Sequence, residues 1–249
     1  MSNRWEVKWW RVGVALACIF GFLYLAEFAV EYWWMPWHDG QVLLRLYPNL
    51  REAPLPEPDK TIAKLGGEQV ELFGVALQVP WKVTKQVRGV VLFGDDRFLM
   101  LFDPLGASSM VSLMQENAKT QKKVDFRELL GTQILSSDYN LMAAAMATTQ
   151  ADPHWWAAPK ENRRRDVLLT LKSEEMRDAN AVYEISGNGL RGYQLGNPAA
   201  APYDVRLVLF DRKDRRYAVL LHRSEKNAPF VTQSEVNAIV ASIRPIPHG

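Results

Sequence analysis

The chain is poor in the residues that most often announce chemistry. Of its 249 residues one is cysteine, Cys18, which excludes an intrachain disulfide framework and any cysteine-based zinc site. Only four histidines occur, and none stands in an HxxxH or HExxH spacing that would bring two imidazoles to one metal ion. There is no GxSxG, so no nucleophile elbow is signalled. No N-x-S/T sequon occurs, which is compatible with a bacterial protein. Surplus charge is scarce as well. The net charge is +2, and the excess lies in the first eleven residues, where Arg4, Lys8 and Arg11 face only Glu6. Residues 12–249 hold 27 basic and 27 acidic side chains, and so neutral a body argues against a nucleic-acid binder, which needs cations to displace counterions from phosphates. A mean hydropathy of −0.18 excludes a multi-span membrane protein, and 48% hydrophobic residues exclude wholesale disorder.

What is present is concentrated at the start. From Val12 to Val30 run nineteen residues (VGVALACIFGFLYLAEFAV) in which Glu27 is the only charge. At ~1.5 Å per residue that is roughly 28 Å of helix, close to the ~30 Å of a bilayer core. Six of the nine tryptophans flank the run: Trp5, Trp9 and Trp10 before it, Trp33, Trp34 and Trp37 after it. Indole rings favour the headgroup interface, so these six are candidate membrane-interface residues. The run is too long for a cleaved signal peptide, and cleavage before Cys18 would leave a dozen apolar residues on the mature chain. The sequence therefore predicts one transmembrane helix over residues 12–34 behind a cytoplasmic 1–11. The cations on that side hold the N-terminus in the cytoplasm of a bacterial inner membrane and place the bulk of the chain in the periplasm. Glu27 reaches headgroups or water from about one turn inside, or pairs with a cation of a partner subunit. Residues 35–67 read as a juxtamembrane spacer, extended by Pro54, Pro56 and Pro58, with Val42–Tyr47 readable as a short interfacial helix.

Residues 68–249 read as an α+β domain. Val70–Val79 is β-rich and stops at Pro80-Trp81, and Val87–Phe93 with Phe98–Phe102 form a hairpin about Gly94–Arg97. Ser109–Leu113 is a further strand candidate. Phe126–Leu135 and Ser137–Thr149 have helical composition, Ser137 or Asp138 serving as N-cap, and Pro159 opens a helix through Met176. Strands return at Ala181–Ser186 and Leu190–Leu195 across Asn188-Gly189, then at Val205–Phe210 and Tyr217–His222. Thr232 and Glu235 form a capping-box pair at the head of a last amphipathic helix carrying Val236, Ile239, Val240 and Ile243. About seven strands joined by tight turns make a largely antiparallel sheet flanked by helices.

The order of FGVALQVPW, a hairpin, a helical middle, two hairpins of the form GYQLG…YDVRLVLFDRKDRRYAVLLHRS, and a final helix ending AIVASIRPI resembles the PsbP-like superfamily over roughly residues 68–246. The resemblance implies an α/β/α sandwich. It also implies a binding or assembly module more than a reaction, since members share a fold while binding different partners.

Individual constellations point the same way. Gly187–Gly192 is a literal GxGxxG, but the residues that follow, Tyr193 to Pro198, cannot make the helix a dinucleotide site requires, and a hairpin turn explains the glycines. Asp95-Asp96 lacks the alternating oxygens of a calcium loop. Arg163-Arg164-Arg165 is neutralised by Glu161, Asp166, Glu174 and Glu175 on the same helix. His222 alternates with strand residues, and His154 lies in the loop Asp152-Pro153-His154-Trp155-Trp156. In that loop Trp155 and Trp156 are the candidate partner contact, because aromatic pairs supply large interface area. No catalytic, cofactor-binding or metal residue is assigned. The expectation is a non-catalytic extracytoplasmic domain for protein–protein interaction in an envelope assembly or accessory role, its partners the bilayer and an envelope protein. Two alternatives stay open: a membrane-anchored hydrolase whose residues are scattered, and a receptor with a ligand pocket.

Overall fold

Two-residue turns with both central residues at positive φ match the twist of antiparallel strands, and the chain uses three of them. In the computed structural model they fall at Phe73-Gly74, Arg88-Gly89 and Asn188-Gly189. The structure describes residues 9–30, 34–56, 61–64, 66–93, 97–102, 109–121, 125–149, 157–176, 179–199, 204–223 and 231–246, with side chains for all of these except 9–16, 117–121 and 223. The first turn divides the expected single strand 70–79 into β1 (Gln69–Leu72) and β2 (Val75–Gln78). The second joins β3 (Val83–Val87) to β4 (Val90–Phe93), and β5 (Arg97–Phe102) follows. Asn188-Gly189 joins β6 (Val182–Gly187) to β7 (Leu190–Leu195), and β8 (Val205–Phe210) turns into β9 (Arg216–Arg223).

These strands form a seven-stranded antiparallel sheet in the order β3-β4-β5-β9-β8-β7-β6. A second sheet, β1-β2-β10, uses the two residues Arg244–Pro245 as β10. The inner face of the large sheet carries Val91, Leu99, Leu101, Leu207, Leu209, Val219 and Leu221, all at or near zero exposure. It packs on the small sheet and on α7 (Gln233–Ser242), whose capping box is formed as expected. At Gly192 an added Cβ would lie 2.0 Å from the Val208 carbonyl oxygen, so the close approach of β7 to β8 requires glycine there.

Helices cover only part of the other face. Val182, Tyr193, Leu195, Val208 and Phe210 of β6–β8 pack against α5 (Asp138–Ala147) and α6 (Pro159–Met176). The expected strand 109–113 is instead the start of a helix, α3 (Met110–Gln121). Its N-terminus is fixed by Asp138, whose carboxylate accepts from the Ser109 hydroxyl (2.7 Å) and the Met110 and Val111 N–H groups (2.9 and 3.0 Å). Asp138 itself opens α5, where its own N–H and that of Tyr139 donate to Asp214 in the β8–β9 turn, at 2.6 and 3.1 Å. The helical stretch expected over 126–135 is broken into α4 (Phe126–Leu130) and a 3-10 turn (Ile134–Ser136), because Gly131 sits at φ 84.

The expected transmembrane helix is overturned. Among the described residues no helix is long and apolar enough to cross a membrane. The helix at the start of the chain, α1, spans Trp9–Ala29. At Val30 and Trp34 the helix gives way to wider π turns before α2 (Met35–Leu46) begins. The domain assignment changes with it. Residues 35–56, expected to be a spacer, belong to the domain: Leu44 and Leu50 are both 0% exposed and sit in the cluster under α5 and α6. Of the proline-rich stretch, residues 54–56 are described, and they meet the sheet. Leu55 N–H donates to Val182 O and Glu184 N–H to Leu55 O, each at 2.9 Å, so Leu55 bridges the edge strand β6.

One side chain clasps this strap. Lys172 on α6 is 0% exposed, and its Nζ donates to three main-chain carbonyls: Leu50 (3.0 Å), Glu52 (2.7 Å) and Thr148 (2.8 Å). Asn49 adds bonds to Met176 O (3.2 Å) and Ala179 O (2.5 Å), closing the C-terminal end of α6. Burial pushes the Lys172 ammonium down to about 8 from 10.5, opposed by the nearby Glu52 carboxylate. Between those two values the unfolded chain holds the proton that the folded chain has lost, so stability rises with pH across the window. Lys172→Met leaves three buried carbonyls unpaired and lowers stability by roughly 2–4 kcal/mol at pH 7. Urea unfolding from pH 7.5 to 10.5 measures the difference between wild type and variant, which widens with pH by about 3 kcal/mol at most.

Candidate functional site

Cross-strand register decides which polar groups meet on the outer face of the large sheet. β8 and β9 pair Val205 with Leu221 and Phe210 with Arg216, so one step beyond the ladder Asp204 faces His222. His222 Nδ1 lies 2.6 Å from the Asp204 carboxylate, both side chains about one-third exposed. A carboxylate only accepts, so Nδ1 carries a proton, and in the neutral ring Nε2 is then the acceptor. The ring lies against Phe98, with centroids 4.6 Å apart. This is the arrangement of a base held in one tautomer by a carboxylate, on the outer face of the sheet.

From His222 an apolar strip runs over β4, β5 and β9. Register places Leu92 beside Phe98, Met100 beside Leu220 and Phe102 beside Ala218. Phe102 is 47% and Leu92 38% exposed, and Met100 and Leu220 are half-buried. The strip ends at a cleft of about 400 Å³ lined by Phe102, Glu174, Glu175, Arg206, Arg216, Ala218 and Leu220. Two arginines there engage Glu175, while Arg216 Nε is buried without a hydrogen-bond partner among the described residues. Arg216 Nη2 donates to the Glu175 carboxylate at 2.7 Å and Arg206 Nη1 to the Glu175 carbonyl at 3.2 Å, tying the end of α6 to the sheet.

A larger cleft of about 870 Å³ lies where the strap meets the start of β6. Leu46, Tyr47, Pro48, Ala53 and Leu55 wall one side, Ala179, Ala181 and Val182 the other, with Asn49, Glu52 and Asn180 as its polar groups. In the β8–β9 turn the Asp211 carboxylate gathers four donors: the Lys213 and Arg215 N–H groups, Arg215 Nε at 2.7 Å and the Tyr217 hydroxyl at 3.1 Å. Partial burial works to raise its pKa, but these bonds together hold it below the usual carboxylate range. Burial and the facing Asp211 push Tyr217 up to about 12. The cluster fixes a turn whose Asp214 caps α5, which is a structural task. Among the described residues no group of three or more His, Cys, Asp or Glu could hold a metal ion.

Most of the residues singled out from the sequence fall outside the described ones. Trp155, Trp156 and His154 lie outside the described residues, as do Trp5, Trp33 and Asp95-Asp96. Trp9 and Trp10 fall in α1 at positions whose side chains are not described. Trp34 is 50% exposed and stacks on His38 at 4.7 Å, while Trp37 is half-buried. Gly187–Gly192 is the β6–β7 hairpin, as expected. Cys18 is exposed on α1.

One carboxyl is strongly perturbed. Asp166 on α6 is raised from 3.8 to about 6, by burial first and then by the Asp39 carboxylate of α2, with Arg163 opposing. Between pH 3.8 and 6 the folded chain holds a proton that the unfolded chain has released, so stability falls as pH rises through that window and the cost is complete at pH 7. Asp166→Asn stabilises the protein by about 1–3 kcal/mol at pH 7, and the gain disappears below pH 4. Thermal or urea unfolding at the two pH values checks both halves. Set beside known protein families, curated proteins and solved structures, the chain matches none.

Proposed function

We propose that the protein is a lipid-associated binding module, without catalysis of its own, that serves an assembly or accessory role at an envelope membrane. The observation that carries this reading is α1. Phe20, Phe22, Tyr24 and Leu25 are each about two-thirds exposed, and Ile19 and Leu23 more than half. So dense an apolar surface beside a folded domain is matched to lipid rather than to water. The protein-binding half of the reading is supported by the apolar strip on β4, β5 and β9, a shallow surface on an open sheet. Such a surface suits a macromolecular partner better than a small ligand, which needs a concave site. The resemblance to the PsbP-like superfamily belongs to this reading; two C-terminal hairpins followed by a capped final helix support it.

Flotation with phospholipid vesicles tests the lipid contact. The full chain floats with vesicles, and replacing Phe20, Phe22 and Leu23 together by aspartate lowers the floated fraction roughly tenfold or more while far-UV circular dichroism stays unchanged. Recovery of the full chain at the bottom of the gradient overturns it. For the partner, crosslinking in native membranes yields a discrete product.

A second reading, a hydrolase, is favoured by the His222–Asp204 pair, since an imidazole oriented through Nδ1 can take a proton from water at Nε2. On this reading the protein hydrolyses activated aryl esters and His222→Ala removes the activity. Turnover that is absent, or that survives the substitution, rules it out.

A further inference from the structure

The two edges of the seven-stranded sheet are treated differently. At β6 the strap residue Leu55 takes up Val182 O and Glu184 N–H, and Pro54 and Pro56 on either side carry no N–H to offer a further strand. Among the described residues no strap of this kind lies along the opposite edge, β3. Thr84, Lys85, Gln86 and Val87 are exposed, and among the described residues β3 pairs with β4 alone. The Glu68 carboxylate takes Val83 N–H at 3.3 Å, and the Gln86 side chain reaches Glu71 O at 2.8 Å. The turn sets what is left free. Across Arg88-Gly89 the pair Val87–Val90 is the hydrogen-bonded one, so the next residue, Gln86, turns its main-chain N–H and C=O away from β4.

Within β3 and its flanking residues the charge is cationic, with Glu68, on the Val83 N–H, and Glu71 the neighbouring carboxylates from the β1 side. Residues 79–93 contain Lys82, Lys85 and Arg88 and no acidic residue. All three cations are exposed, and none forms an ion pair with a described residue. Two copies of the chain meeting at β3 would bring like charges together, which disfavours self-pairing; an acidic strand would meet them with attraction. A register shift between Val83 and Lys85 breaks the regular ladder and confines addition to the stretch from Lys85 to the turn.

We propose that β3 binds a short, extended, acidic segment of a partner protein by strand addition, main-chain bonds at Gln86 giving affinity and Lys82, Lys85 and Arg88 giving selectivity. This rests on the protein-binding reading and names the chemistry of the partner.

The test uses the full chain and a fluorescein-labelled peptide of alternating glutamate and valine, with a lysine–valine peptide as control. The acidic peptide binds saturably and the basic one does not. Gln86→Pro removes the outward N–H at an edge position that tolerates proline, and weakens binding roughly tenfold or more. Lys85→Glu with Arg88→Glu does the same, and in wild type raising the salt weakens binding. In wild type, peptide addition slows hydrogen exchange at the Gln86 amide, a readout that no folding defect of a variant can imitate. Three outcomes overturn the proposal: no saturable binding, equal binding by Gln86→Pro, or a dimer formed through β3. If vesicle flotation and native-membrane crosslinking persist while the peptide fails, this site falls and the binding-module reading stands.

Discussion

A buried ammonium with no carboxylate partner is the constraint around which the helical layer is arranged. Lys172 can stay inside only because three carbonyls, Leu50, Glu52 and Thr148, converge on its three donor positions. Those carbonyls come from two segments far apart in sequence: the strap after α2 and the end of α5. Holding them at 2.7–3.0 Å from one nitrogen fixes both against α6 at once. Around that point Leu44, Leu50, Met142, Met146 and Leu169 exclude water, and Asn49 closes the last turn of α6. The hydrophobic cluster supplies the larger part of the free energy, and the ammonium supplies the geometry.

A chain of carboxylates does the corresponding work for the helix starts. Arg215 and Tyr217 hold Asp211, the turn so formed presents Asp214 to the head of α5, and Asp138 at that head caps α3. Asp214 and Asp138 each place an acceptor on N–H groups that have no partner within their own helix, at the end of the helix dipole that favours negative charge. The β8–β9 hairpin thereby positions two helices it does not precede in sequence.

Coverage of the large sheet divides structure from function. Its inner face and the half of its outer face over β6–β8 are closed by the small sheet, α7, α5, α6 and the strap. Among the described residues no helix packs on the half over β4, β5 and β9, which carries Phe98, Met100, Phe102 and Leu220, with His222–Asp204 at one end and the Glu175–arginine contacts at the other. One edge is sealed by Leu55 between prolines; along the other, which is cationic, no such strap lies among the described residues. Surfaces left without an internal partner are where a domain of this kind meets other molecules.

Much of this was legible along the chain because it depends on near neighbours. Asn188-Gly189 demands a hairpin, Thr232 and Glu235 cap a helix three residues apart, and the apolar run of Val205–Phe210 reads as a strand. Extending the β8–β9 ladder by one step would also have paired Asp204 with His222. Local pattern failed where two structures suit the same residues. VELFGVALQV has the composition of one strand, but Phe73 and Gly74 take positive φ and fold it back on itself as a hairpin. Ser109–Leu113 is β-rich until the distant Asp138 caps it as a helix. The prolines about Leu55 read as a spacer, and the single residue between them finds a sheet edge more than a hundred positions away. Composition thus set the α+β class, the turns and the apolar start of the chain. Tertiary structure alone decided that residues 35–56 join the domain, that Lys172 is buried, and which sheet edge stays open, because each depends on groups that only folding brings within hydrogen-bond reach.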